Sequence, residues 1–484
     1  MKKFILILAV LGVVTALYSQ NDFNEWLAEQ NKNYTSWKNQ QDKDFTEFLS
    51  QSWDNFLTQP ATVRDTIPKP GNIPNPVDQS CPDLMSGKKV HLQEISEPLP
   101  LTPDFIQEIN HNQLLYALSE GVETLRIDYW GIKIPFNYNK NMKIEVMQKY
   151  DSSAIADFWG KISNTDYEML LSELDKAKEQ FVRNDWGYCQ IIYKVGNELY
   201  QSSDMAYLFT WFVLTKSRYD CKIGYDNAHF YLLAATGSTI YEEPHLVLDG
   251  RDYYSLSLDN GTIKPVNLYT YEGSYPDAND LLDLNLESSP YLEEVIVERK
   301  LSFSYADSTW TFPVKGNLTL VEFLGSYPAT DLAVYFQSEL SPLAEKSLFE
   351  GLSPILEGRT ETEALNILLR FVQTAFPYKT DAQQFGSENS LFPDETLYYE
   401  YCDCEDRSFL FSKLVEKFLG LAVIGLDFPG HIATAVEMKE DISGDKINYN
   451  GIDYLVCDPT YINADIGVIM PQFTDTEPKV IQFR

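Results

Sequence analysis

An α+β fold in several parts is what this sequence predicts, on three observations. The chain is 484 residues long, 44% apolar and 14% aromatic, which is enough to build more than one core. Stretches of helical period and stretches of alternating character come in blocks along it. A run rich in Pro and Gly, from Gln59 to about Pro82, breaks the chain near its start. The parts expected are a leader (1–19), an amphipathic helix (20–58), a linker (59–87), an α+β domain (88–260), a β-rich domain (261–340) and a C-terminal α+β domain (341–484).

The opening "MKKFILILAVLGVVTALYSQ" has Lys2-Lys3, an apolar run from Phe4 to Leu17 and small or polar residues after it. This is the pattern of a secretory signal peptide cut near Ser19, too short to favour a spanning helix. The mature protein is then exported, periplasmic or extracellular, and not membrane-spanning. Its charge of −33, from 71 acidic against 38 basic residues, repels phosphate backbones and argues against nucleic acid as a partner. Six cysteines are few for a disulfide scaffold.

In residues 21–57, Phe23, Tyr34, Phe45 and Phe56 lie eleven apart, and Trp26, Trp37 and Phe48 follow each by three. Eleven residues make three turns at about 3.67 per turn, so the aromatics form one stripe on a long helix. The stripe is expected to pack on its own protein, with a partner helix as the other occupant. Within 88–260, "LRIDYWGIKIPFNY" alternates like a strand or hairpin, two helices follow, and then four strands. Residues 292–305 and 310–324 alternate and give 261–340 its β character. Thr360 and Glu363 form a capping box ahead of an apolar helical stripe, and helices return from about 341.

The chemistry is expected in "YCDCEDRSFLF", residues 401–411. Phe409, Leu410, Leu414, Val415, Phe418 and Leu419 keep a helical period until Gly420, which puts Cys404 at a helix N-terminus. The free N–H groups and the dipole there favour a thiolate and can bind an oxyanion. "LAVIGLDF" reads as a strand, "HIATAVEM" as a second opening on His431, and "IDYLVCDPTY" as another, ending at Asp458-Pro459. His431 is the only histidine after His245. A thiol that loses a proton, an imidazole that takes it and a carboxylate that orients the ring are thus present, in that order.

Cys-x-Asp at a helix start, a histidine opening a following strand and Asp-Pro-Thr closing a later one resemble the transglutaminase-like superfamily of papain-like cysteine enzymes. The resemblance covers about residues 345–470. It implies Cys404 as nucleophile, His431 as base, Asp458 as its orienter and Asp406 as a structural acid. It also implies acyl transfer through a Cys404 thioester on a peptide or protein substrate. No metal or cofactor is expected. Water as acceptor gives a peptidase or amidase, and an amine acceptor gives a transglutaminase. The alternative of another class is a non-catalytic cell-envelope binding or assembly module. The family commonly carries Trp after the histidine, where this chain has Ile432 and Ala433, and cross-linking members use a Trp in the oxyanion hole. The last Trp here is Trp310, so Gln384 or Tyr401 is the stand-in. Other readings of the same residues stay open. They are a Cys402–Cys457 bridge, a disulfide at Cys404, a Cys402/Cys404/His431 metal set, a core histidine and a turn aspartate.

An internal duplication is also expected. Leu208-Phe209 falls on Leu410-Phe411, Asp204 on Asp406, Ile223-Gly224 on Ile424-Gly425, and Asp252-Tyr253 on Asp453-Tyr454. Ser202, Phe230 and Ser257 then stand where Cys404, His431 and Asp458 do, so residues of about 150–260 form a degenerate copy that serves as scaffold or binding surface.

Overall fold

The structure is a computed structural model that describes residues 26–30, 32–63, 88–92, 121–259 and 264–483. The leader, the linker from 64 to 87 and Phe23 of the aromatic repeat lie outside these residues. The chain is a mixed helix-and-sheet protein with several sheets and an N-terminal helix. Among the described residues, no helix is long and apolar enough to cross a membrane.

Two sheets organise the molecule, and each has one helix laid on it. The first runs in the order Asp54–Leu57, Asn267–Thr270, Cys221–Tyr225, Phe230–Ala235, Arg251–Ser255, His245–Leu248. The second runs Lys479–Ile481, Val423–Phe428, His431–Glu437, Ile452–Cys457, Lys446–Tyr449. Counted from the helices Ser203–Lys216 and Cys404–Leu419, both sheets place the following strands in the order first, second, fourth, third, with a later strand added beside the first. All pairings are antiparallel.

The register corrects the sequence alignment of the two units. Tyr225 pairs Phe230 as Asp427 pairs Ile432, and Leu233 pairs Ser255 as Ala435 pairs Val456. One offset of 202 residues therefore carries through helix and first two strands. The single-residue gap falls before the closing hairpin, not before the first strand. His229, rather than Phe230, then stands over His431, because both follow a two-residue turn (Asn227-Ala228, Pro429-Gly430). Identities in an alternating strand pair equally well at a slip of one, and only the hydrogen-bonded ladder removes that freedom.

The N-terminal helix spans 26–30 and 32–49. It is not helical to residue 57: Asp54–Leu57 is an edge strand of the first sheet, so Phe56 leaves the stripe. Within the helix the stripe divides. Phe45 and Leu49 are buried and Trp26, Tyr34 and Trp37 are exposed. Phe45 packs edge-on against Trp159 and Tyr275, at ring-centroid distances of 4.8 and 5.3 Å.

Residues 261–340 do not form a separate β-rich domain. Asn267–Thr270 joins the first sheet, and the hairpin Ile296–Tyr305/Ser308–Asn317 packs on the helices Pro342–Leu356 and Glu361–Ala375. Its alternation is genuine, but the apolar face needs helices to cover it. Phe303 and Phe312 meet Phe371 at 5.3 and 5.6 Å. Gly351 admits Phe312, whose ring occupies the place a Cβ there would take. One apolar core runs unbroken from Phe45 and Trp211 in the first unit to Phe409 and Ile432 in the second.

Candidate functional site

The helix Cys404–Leu419 begins in a network of its own side chains. Asp403 is its N-cap, and Asp406 reaches back so that Oδ2 accepts the Asp403 N–H at 3.2 Å. Oδ1 of Asp406 accepts the Leu391 N–H at 2.8 Å, which ties the preceding loop to the helix start. Gly420, at φ 61°, ends the helix in the left-handed conformation that glycine adopts without strain. Ser408 donates to the Cys404 and Ile432 carbonyls at 2.8 and 3.2 Å and holds the helix against the strand His431–Glu437. The Cys404 thiol thereby faces the Ile432 N–H.

His431 follows Gly430, whose φ of 73° makes the tight turn. Its Nε2 lies 2.9 Å from Asp458 Oδ2. Asp458 is itself fixed, because Oδ1 accepts the N–H groups of Thr460 and Tyr461 at 2.9 and 3.2 Å. Gln373 donates to the carbonyls of Asp458, Tyr461 and Ala464 and clamps that loop to the helix Glu361–Ala375. Phe473 stacks on the imidazole at 5.3 Å, with planes 5° apart. Nδ1 of His431 is buried and has no hydrogen-bond partner among the described residues.

Cys404 thus lies beside the strand that His431 opens, and Cys404, His431 and Asp458 are 0, 0 and 3% exposed. The imidazole and carboxylate are joined. The thiol is not joined to the ring: it donates to Glu405 Oε2 at 3.2 Å. Burial works against the thiolate expected from the helix N-terminus. Burial pushes the Cys404 thiol well above its ordinary value, and the Glu405 and Asp403 carboxylates push it further, against the Ile432 N–H. A helix dipole is worth about 1 kcal/mol at a surface, and removal from water outweighs it here.

Cys402 and Cys457 are both free buried thiols, as are Cys189 and Cys221, so no Cys402–Cys457 bridge forms. Asp406 is engaged by the Leu391 and Asp403 N–H groups. Gln384 ends the short helix Asp381–Gln384. Tyr401 carries the Lys379 ammonium 4.6 Å over its ring. No hydrogen bond joins Gln384 or Tyr401 to Cys404 among the described residues. The aromatic beside the thiol is Tyr378, whose hydroxyl is buried without a hydrogen-bond partner and feels the charges of Cys404, Asp403 and Glu405. Sequence reasoning missed Tyr378, Gln373 and Phe473, which carry no motif. It also passed over the acids flanking Cys404, although they stand in "DCED".

Two more buried acids support the helix from Pro393–Tyr398. Burial pushes Asp394 up to about 6, against hydrogen bonds from Ser341. Burial likewise pushes Glu395 up to about 8, against the Phe392 N–H. Both folded values lie above the unfolded ones, so the folded chain keeps protons that the unfolded chain releases. The stability they contribute is therefore lost as pH rises between about 4 and about 8. The urea midpoint is expected to be lower at a pH of about 8.5 than at about 5.5, and Glu395→Gln to flatten the slope. A midpoint that rises with pH in the unsubstituted chain contradicts this.

No family model, curated protein or solved structure matches this chain.

Proposed function

We propose that this chain is an exported cysteine enzyme of the transglutaminase-like kind, acting by acyl transfer through a thioester on Cys404. The observation that carries this reading is the state of His431. Its Nε2 is held by Asp458 at 2.9 Å while Nδ1 is buried without a partner, at the start of the strand whose Ile432 N–H meets the thiol. A ring oriented through one nitrogen and free at the other is what a base for a neighbouring thiol requires.

In the reaction, Cys404 Sγ gives its proton to His431 Nδ1 and attacks the substrate carbonyl carbon, and Asp458 stabilises the imidazolium. The oxyanion that forms is met by backbone N–H groups at the helix start. The imidazolium then protonates the leaving amine, and water attacks the thioester, which regenerates the thiol and releases the acid. Peptide or amide hydrolysis is the outcome, with an amine in place of water as the alternative acceptor.

The unit at about 150–260 is read as a degenerate copy, supported by the shared strand order and register. At its site the Asp204 carboxylate accepts the Phe230 N–H at 3.1 Å and lies 3.6 Å from His229, and Tyr150 donates to it at 2.8 Å. A carboxylate thus takes the strand-start N–H that faces the thiol in the other unit.

A specific observation favours a second reading, that of a non-catalytic module: the thiol is sealed and bonded to Glu405. Alkylation of the folded protein separates the two. Cys404 of a working enzyme is expected to be labelled in preference to the other buried cysteines near neutral pH, as read by peptide mass mapping. Phe473→Ala, which uncovers the His431 ring, is expected to raise that rate by about tenfold. Labelling no faster than at Cys189 in both proteins would favour the module.

A further inference from the structure

The triad leaves a cluster of carboxylates beside Cys404 unexplained. Asp403, Glu405 and Asp406 come from the helix start, Asp381 opens the short helix Asp381–Gln384, and Glu388 lies in the loop that follows it. Ligand oxygens of Asp381, Asp403 and Asp406 lie within 4.8 Å of one another, and so do those of Asp381, Glu388 and Glu405. Acids on a first helical turn are ordinarily accounted for by the macrodipole. That accounts for Asp403, Glu405 and Asp406. Asp381 begins its own short helix and its Oδ2 accepts the Asn389 N–H at 2.8 Å, but neither fact explains why Asp381 and Glu388 are brought to the acids of another helix start.

The hydrogen bonding gives an independent sign. Asp406 is satisfied at both oxygens, by Leu391 and Asp403 N–H groups. Asp403 Oδ1 and Glu405 Oε1 are not. Both are buried without a hydrogen-bond partner, on side chains 1% and 0% exposed. Arg407 does not neutralise them. Its Nη2 donates to the Phe376 carbonyl at 2.6 Å, its guanidinium lies over Tyr378, and it forms no ion pair with these acids. Buried carboxylates in this state call for a positive charge, and no ion pair among the described residues supplies one to Asp403 or Glu405.

We propose that Asp381, Glu388, Asp403 and Glu405 bind one divalent cation of the calcium class, seated between the segment 381–390 and the start of the Cys404 helix. The Cys404 sulfur also lies within 4.8 Å of ligand oxygens of Asp403 and Glu405, but the carboxylates outnumber it, and oxygen donors select a hard cation. Several carboxylates around an irregular loop, turned at Gly386 with φ 86°, suit the loose coordination of calcium better than the strict octahedron of magnesium. Glu388 is the half-exposed member and marks the side open to solvent. The site goes beyond the catalytic reading and does not rest on it.

The test is calorimetric titration of Ca²⁺ and Mg²⁺ into the full chain carrying Cys404→Ala, so that failure of the catalytic reading leaves the result untouched. One saturable Ca²⁺ site is expected, with Mg²⁺ weaker, and a rise in the melting temperature that EGTA reverses. Glu388→Gln and Glu405→Gln are each expected to weaken Ca²⁺ by about tenfold or more. Glu388 is half-exposed, so that variant decides the matter if Glu405→Gln fails to fold. No saturable heat and no thermal shift with either ion overturns the site. So does unchanged affinity in Glu388→Gln.

Discussion

Cys404→Ala abolishes turnover of any peptide or amide substrate found for this protein, by about four orders of magnitude or more, while its melting temperature stays close to that of the unsubstituted chain. The sulfur is the atom that forms the acyl bond, and no other group at the site replaces it. Cys189, Cys221, Cys402 and Cys457 are buried elsewhere in the core. The fold loses little, because an alanine removes one atom that bonds only Glu405 and the Ile432 N–H. Two controls fix the assignment. Cys402→Ala retains most activity, since its thiol is free and packs in the core. Ser202→Ala, at the matching position of the upstream unit, costs none, since its hydroxyl caps the helix Ser203–Lys216. The measurement is a substrate-profiling digest followed by steady-state rates on the best substrate. Undiminished rates in Cys404→Ala would end the catalytic assignment.

Asp42→Ala lowers the stability of the whole chain by about 3–5 kcal/mol. Asp42 on the N-terminal helix pairs with Lys216, and both side chains are nearly sealed, 6 and 5% exposed. The ammonium also donates to Tyr275 at 2.9 Å and sits among the rings of Trp159, Tyr167, Phe212 and Tyr275. Burial lowers the Lys216 value to about 8, and Asp42 is the charge that keeps it from falling further. A base whose folded value lies below its unfolded one costs stability at low pH, and the cost fades as pH rises from about 8 to about 10. Removing Asp42 leaves a buried ammonium unpaired, lowers its folded value further and deepens that cost at neutral pH. Urea unfolding with an unchanged slope and a lower midpoint is the expected result. A midpoint within about 0.5 kcal/mol of the unsubstituted chain would show that the helix is an accessory, and that its exposed aromatic half marks the part that matters.

Several elements were legible in the residues alone. The helix at Cys404 follows from its apolar period and from Gly420, and the strand at His431 from the alternation after Pro429-Gly430. The hairpin within 121–139 and the capped helix Glu361–Ala375 were legible for the same local reasons. What failed was non-local. Asp54–Leu57 continues an eleven-residue aromatic repeat, yet it pairs with Asn267–Thr270, because an unpaired sheet edge offers a ladder that an isolated helix end does not. Residues 261–340 alternate like a domain of their own, yet they are divided between a sheet and a helix layer. Alternation shows that one face is buried without showing what buries it.

The site divides along the same line. By itself the sequence determined which residues could react: a cysteine at a helix start, a histidine at a strand start and an aspartate at a strand end, because element boundaries are set by local period, turn and cap. Only the tertiary structure decided their state. It paired His431 with Asp458, turned the Cys404 thiol to Glu405, placed His229 over His431 by register, and brought Asp381 and Glu388 from a separate segment to the acids beside Cys404. Charge, burial and ladder register all depend on atoms distant in sequence, and no local period encodes which distant atoms those are.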